Sequence, residues 1–345
     1  MIREENKKGK VDQNTFNSLS IKFLDKVFRQ LEMKGIHLRP HWSIDHLCYR
    51  TESEESYQKN KLLFLNLGEL LIESEVNTRL ISTFKLFEPI HYHGREIQLI
   101  ELPAPKKGKP TPEGLEHIEV VCDRSLEDLA AQYSHLSVQT KGMEKDFNRE
   151  LEIELEGCAI KFHHLSLESV IHLEENTKVF HALKSSEVLN ILSPYSPQIV
   201  GTFPLALHQA NSDLDILLYS DNLTELAVVL KKAFSSMNGF KIYTHKVDGI
   251  DSLIANFTFD KVPFELFVQN VPTHEQVAFR HFQTEEKLLK LGGENFFHSV
   301  CRFRQVGLKT EPAFASALKL SGNSYQAISD LFLLSESELK SRYHL

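Results

Sequence analysis

The sequence predicts two α+β domains joined end to end, on three observations. The chain has 345 residues, more than the roughly 100–200 of a typical single domain. Residues 43–164 read as short apolar strands with little helix, and they carry a weak internal repeat. From residue 167 the pattern turns helical and then opens a second run of strands that ends in helices. We place the boundary inside the helical stretch, giving domains 1–175 and 176–345.

Taken in order, residues 1–12 form a charged leader. A helix follows, with Phe16, Leu19, Phe23, Leu24, Val27, Phe28 and Leu31 on one stripe, and it stops near Gly35. The segments SIDHLCYR, ELLIESEV, STFKLFEPI, REIQLIELPAP, GLEHIEVVCD, ELEIELEG and CAIKFHHL read as strands, with helices near 54–67 and 125–133. Asp45-His46-Leu47-Cys48-Tyr49 resembles Glu116-His117-Ile118-Glu119-Val120, each an acid and a His opening an apolar strand. Residues 43–165 thus predict two βαβββ units, paired into a curved sheet. The segment 167–192 is helical in pattern, ended by Pro194 and Pro197. Beyond it come strand QIVG, a turn and short helix, strand DLDILLYS, helix NLTELAVVLKKAFSSM, strands over 240–260 and 263–269, and terminal helices.

Composition narrows the function. Apolar content of 41% with 23 Phe supports two real cores and excludes general disorder. The formal charge of -8 argues against nucleic acid as the main partner. No apolar run nears the roughly 20 residues of a membrane helix, and the polar start of the chain suggests no signal peptide. A cytoplasmic protein is expected. Cys48, Cys122, Cys158 and Cys301 form no Cys-x-x-Cys pair, and three lie in strand-like runs where a reduced, buried thiol is expected.

The C-terminal half carries the strongest chemical pattern: Ile199-Val200-Gly201-Thr202, a spacer, then Asp213-Leu214-Asp215-Ile216. Strand alternation points Asp213 and Asp215 to one side. Glu265 stands in another apolar strand, where an uncompensated carboxylate is costly. Three carboxylates at one place repel by roughly 4 kcal/mol per pair at 4 Å and an effective dielectric of 20. Mg²⁺, a hard cation, would relieve that and serve phosphoryl chemistry. Gly201 permits close backbone approach, Thr202 and Ser212 offer hydroxyls, and Lys309 offers a cation for a triphosphate. His208, Arg280, His281 and Glu311 are weaker candidates. The pattern resembles the nucleotidyltransferase fold, with Gly201-Thr202 where Gly-Ser is usual and Glu265 as the third acid. The wider run, from GTFPL to GLKTEPAFA, resembles an uncharacterised bacterial family of nucleotidyltransferase-like proteins.

In the N-terminal half, His46 and His117 hold equivalent places in the repeat, and Glu101 and His163 close the two modules. This His, Glu, His, His set suits Zn, Fe, Ni or Mn. Asp146 and Asn148 are further candidates for lining the cavity. Ile44-Asp45-His46, Leu71-Ile72-Glu73-Ser74, Ile100-Glu101-Leu102-Pro103, Gly114-Leu115-Glu116-His117 and Lys161-Phe162-His163 resemble the YecM-like family of the vicinal oxygen chelate superfamily. The resemblance implies a metal on the concave face. The superfamily's fourth ligand is commonly Glu, where this sequence offers His163.

Two functions are therefore expected. The first is Mg²⁺-dependent transfer from a nucleoside triphosphate to a small-molecule or protein acceptor. The alternative is a metal-dependent enzyme of the chelate type, acting on a small oxygenated substrate, with the nucleotidyltransferase-like half as a regulatory or nucleotide-binding module.

Overall fold

The computed structural model describes residues 13–345 apart from 77, 107, 109, 110 and 146. The leader at 1–12 and the candidate Asp146 lie outside the described residues. The chain divides into two compact units. The first holds the described residues up to Cys122, with Ala130–Met143 and Glu150–His163; the second holds Asp123–Leu129, Glu144–Arg149 and His164–Leu345.

The first unit opens with α1 (Gln13–Met33), whose apolar stripe buries Phe16, Leu24, Val27 and Leu31. Gly35, at φ 68°, ends it, and the Ile36 N–H returns to the Leu31 carbonyl at 2.8 Å. The chain then runs twice through the predicted pattern. The first pass is β1 (Ser43–Arg50), α2 (Glu54–Leu67), β2 (Gly68–Val76), β3 (Arg79–Tyr92) and β4 (Arg95–Pro103). The second is β5 (Gly114–Val121), α3 (Leu126–Gln132), β6 (Val138–Gln139), β7 (Leu151–Leu155) and β8 (Cys158–His163). The eight strands make one sheet in the order β2-β3-β4-β1-β5-β8-β7-β6. β1 and β5 meet antiparallel at its centre, while β4 runs parallel to β1 and β8 parallel to β5.

Alternation gives this sheet two different faces. Tyr49 and Phe84 lie on the face that meets α2, with ring centroids 5.6 Å from Phe64, which in turn packs edge-on against Phe16 of α1 at 5.2 Å. Burying each such ring stabilises the unit by about 1.5–3 kcal/mol. His46, Cys48 and Arg50 alternate with these apolar residues and take the opposite face.

The main run of the second unit opens with three short helices in the stretch that reads as helical: α4 (Leu167–Glu175), α5 (Thr177–Ser185) and α6 (Val188–Leu192). Asn176 interrupts the first pair because its side chain caps the Val179 N–H, and Glu187 breaks the second with a left-handed backbone, φ 52°. The sheet follows: β9 (Gln198–Val200), β10 (Leu214–Tyr219), then, after α7 (Leu223–Phe234), β11 (Asn238–Val247), β12 (Ile250–Phe259) and β13 (Val262–Gln269). Its order is β11-β12-β13-β10-β9. Turns alone occupy 201–206, where a short helix was expected. Phe234, Phe257 and Phe264 stack at 4.9 Å spacings in the core. A helical tail completes the unit: α8 (Val277–Gln305), kinked at Gly293, then α9 (Thr310–Ala317), α10 (Ser324–Leu331) and α11 (Glu336–Tyr343).

Among the described residues no helix is long and apolar enough to cross a membrane. All four cysteines are free, with Cys48, Cys122 and Cys158 buried as expected.

Candidate functional site

In the first unit, cross-strand register assembles the cluster. His46 pairs with Glu119, and Cys48 pairs with both His117 and Glu101. One donor atom from each of His46, Glu101, His117 and Glu119 lies within 4.8 Å of the others. Three of the four predicted ligands are thus brought together, and Glu119 completes the set. His163 stands beside it, with Nε2 3.4 Å from Glu119 and 3.7 Å from Asp45.

The register also corrects the equivalence drawn between Glu101 and His163. Glu101 pairs with Cys48 of its module, whereas the partner of Glu119 is Lys161. Cys48 and Glu119 occupy matching places across the central strand pair, so Lys161 matches Glu101, and His163 lies two residues further on. A repeat read from sequence aligns strand starts and does not register their ends.

Electrostatics bind the cluster tightly. The Glu119 carboxylate takes the Nε2 of His117 at 3.0 Å and the Lys161 ammonium at 3.1 Å. Burial pushes the Glu119 carboxyl up, but Lys161, His46 and His117 hold it well below the usual range. Burial pulls His46 down, yet Glu119 and Asp45 outweigh it and hold the imidazole well above its ordinary value. His117 is likewise raised, with burial opposed by Cys48 and Glu116. His46 Nδ1 is bonded to Asp45 at 2.9 Å, while its buried Nε2 has no hydrogen-bond partner. A buried ring nitrogen fixed from behind by a carboxylate, its other nitrogen aimed at acidic donors, is how a metal-binding His is arranged. Cys48, expected to be an inert core thiol, forms a further donor group with Glu116 and His117. Cys48 matches Glu119 in the repeat, which was the available signal for both. Asn148 belongs to the second unit, and its amide is bonded to the Leu165 backbone on both sides, at 3.2 and 3.3 Å.

In the second unit, β10 lies between β9 and β13, so Asp215 is flanked by Val200 and Glu265. Glu265 is held from its other side by the Asn256 amide at 3.1 Å. Gly201 has φ 79°, and a Cβ there would sit 2.2 Å from the Asp215 carboxylate, so only glycine lets backbone and acid approach this closely. Burial, then the charges of Asp213, Glu265 and Glu311, push the Asp215 carboxyl well above the carboxylate range. The acids therefore share one locus. Their oxygens are not among the donor groups lying within 4.8 Å, all of which fall in the first unit.

The remaining candidates divide. Lys309 is exposed at the N-cap of α9, and its charge helps hold Glu311 down. The Ser212 hydroxyl accepts the Gln209 N–H at 2.8 Å, which shapes the turn before Asp213. Thr202 is buried beside Gly201. His208 stacks on Phe203 at 4.7 Å and Arg280 covers Phe332, so both serve packing. His281 sits between the Ser329 hydroxyl, at 2.6 Å from Nε2, and Glu311, at 3.3 Å from Nδ1. Ser329 lies far along the chain in a plain helical segment and carried no signal in the sequence.

Comparison with known proteins falls into the same halves. Residues 12–174 match the family model described as YecM protein, and residues 181–331 match a domain of unknown function, DUF4269. Protein YecM of Escherichia coli is 30% identical over 168 residues, which are 44% of this chain and 87% of that protein. An uncharacterized protein of Haemophilus influenzae is 41% identical over 81 residues, covering 24% of this chain and only 42% of the relative. Among solved structures, the structural-genomics protein EC4020 is 28% identical at a TM-score of 0.40, over 47% of this chain and 92% of its own. The Cid1 poly(U) polymerase bound to MgATP is 15% identical at a TM-score of 0.31, over 45% of this chain and 48% of its own.

Proposed function

This chain belongs to the YecM family through residues 12–174, and from that premise we propose that its second unit adds a Mg²⁺-dependent nucleotidyl-transfer site. The substrate is a nucleoside triphosphate, and the acceptor is a hydroxyl of a small molecule or protein. The observation that carries the reading is the setting of Asp215: an acid in register with Glu265, its carboxyl pushed well above the carboxylate range by burial and by the charges of Asp213, Glu265 and Glu311. Acids gathered at that cost suit a site completed by a hard dication.

Asp213, Asp215 and Glu265 would hold the ions, which when bound neutralise the phosphate under attack. Gly201 gives the triphosphate access to the backbone, Thr202 and Ser212 border it, and Lys309 meets its outer charge. The third acid, Glu265, would orient the acceptor hydroxyl and take its proton. The acceptor oxygen bonds to the α-phosphorus as the bond to pyrophosphate breaks. Incubation with α-labelled nucleoside triphosphates and Mg²⁺ tests this, beside Asp213→Asn and Asp215→Asn. Label transfer or pyrophosphate release is expected from the unaltered protein alone. Release that survives both substitutions, or no release with any nucleotide, sinks the reading.

A second reading rests on the first unit. The buried Nε2 of His46, without a hydrogen bond and 3.5 Å from Glu119, and the donor set around it suit a Zn, Fe, Ni or Mn ion. Such an ion would activate a small oxygenated substrate, with the second unit regulating it. Elemental analysis should find near-stoichiometric metal in the purified protein and none in His46→Ala/His117→Ala. No metal after reconstitution overturns it.

A further inference from the structure

The face that carries the His and Glu donors also carries cations, and register fixes where they stand. Glu101 pairs with Cys48 on one side and Thr83 on the other. Two residues on along β1 is Arg50, and four residues back along antiparallel β3 is Arg79. Period-two alternation puts both on the face of Glu101, towards the same end of the sheet. Arg79 donates to the Ala104 carbonyl at 3.4 Å, and Lys106 follows two residues later.

These cations are not alike. Arg50 is paired with Glu116, and Lys161 with Glu119 and, at 3.8 Å, with Glu150. Among the described residues Arg79 is bonded to a carbonyl alone, and Lys106 makes no ion pair. They are nonetheless neighbours. Burial and the nearby Arg79, Arg50 and Lys161 charges hold the Lys106 ammonium below its usual range, and burial and Arg50 do the same to Arg79. Like charges at close quarters cost free energy unless an anion lies between them. In a chain of formal charge -8, two surplus cations beside a donor cluster are a local exception that the overall charge does not predict.

We infer that this end of the sheet is an oxyanion site, where Arg79 and Lys106 receive the carboxylate or phosphate of a small molecule whose other end reaches the His46, Glu101, His117 and Glu119 donors. The guanidinium offers a planar fork that fits two oxygens, and the ammonium a mobile point charge. The anion is short, because Glu101 and Glu116 stand close by and repel a long polyanion. The assignment goes beyond both functional readings and does not need a metal.

Isothermal titration of the full chain, stripped with EDTA, tests it with inorganic phosphate and succinate as the simplest probes of the two chemistries. At least one probe is expected to bind. Arg79→Gln and Lys106→Gln should each weaken it about tenfold, one charge-assisted contact apiece, and the double variant should abolish it. Asp215→Asn should leave it unchanged, which separates this site from any phosphate held by the second unit. Which probe binds decides between carboxylate and phosphate. Lys106 is exposed, so Lys106→Gln keeps the fold and stands as a test if Arg79→Gln does not. Absence of binding for both probes, or full affinity in Lys106→Gln and the double variant, overturns the inference. Metal content is measured separately, so loss of the metal reading leaves this result standing.

Discussion

The two units handle buried charge in opposite ways. In the first, the central acid of the cluster meets built-in counter-charges: Glu119 is held well below the carboxylate range by Lys161, His46 and His117. In the second, Asp215 faces only other acids and is driven well above that range. The same contrast recurs among cations. Lys161 lies between Glu119 and Glu150, and its ammonium is raised by them against the cost of burial. Lys287 of α8 is bonded to the Leu334 carbonyl at 3.3 Å, and burial lowers it to about 8. A compensated cluster stands without a ligand, whereas an uncompensated one is strained until a ligand of the opposite sign arrives.

The sharpest way to break this comparison is Glu119→Gln. It leaves Lys161 and the two imidazoles buried without their acid, and should cost about 3–5 kcal/mol in denaturant unfolding of the first unit. A cost near zero would make the cluster no more than a solvated face. Next in size is the pH dependence set by Lys287. The folded group titrates at about 8 and the unfolded one near 10.5, so between those values the unfolded chain holds more protons. Stability should rise with pH across that window, by up to about 3 kcal/mol at 1.36 kcal/mol per unit. Lys287→Met should flatten the rise in melting temperature, and an unchanged slope would assign it to other groups.

Gly201→Ala should destabilise the second unit by about 1–3 kcal/mol, from left-handed backbone and collision with Asp215 together. It should also abolish any melting shift caused by Mg²⁺, whereas a shift retained at full size would remove Gly201 from the site. The smallest effect is the most diagnostic, because its sign is opposite to that of Glu119→Gln. Asp215→Asn should raise stability in EDTA by about 1 kcal/mol, since it removes an uncompensated buried charge. A loss of stability instead would mean that Asp215 already has a partner and awaits no cation.

Much of this was legible in the chain. The period-two runs around His46 and His117, and the offset of 71 residues between them, gave the paired βαβββ order. The alternation of Asp213 and Asp215 and the apolar setting of Glu265 pointed to two strands, and Asp215 and Glu265 stand in register on β10 and β13 while Asp213 lies just before β10. The errors have local causes. The division of the helical stretch 167–192 at Asn176 and Glu187 is not legible, because a cap bond and a left-handed residue leave no mark on hydrophobic spacing. His163 stands in the place of Glu101 only while strand ends are compared, because the ladder that pairs Glu119 with Lys161 leaves no mark on the sequence.

The sequence by itself determined which residues share a strand face and which acids and imidazoles open apolar strands, since alternation is a property of one strand alone. Tertiary structure decided who stands opposite whom. Glu119 entered the donor set through pairing of β5 with β1, Lys161 took its place through pairing of β8 with β5, and Glu311 reached the carboxylate locus from α9. Each of these joins residues far apart in the chain, and the free energy that fixes such a pairing is the burial of whole faces, which no local pattern records.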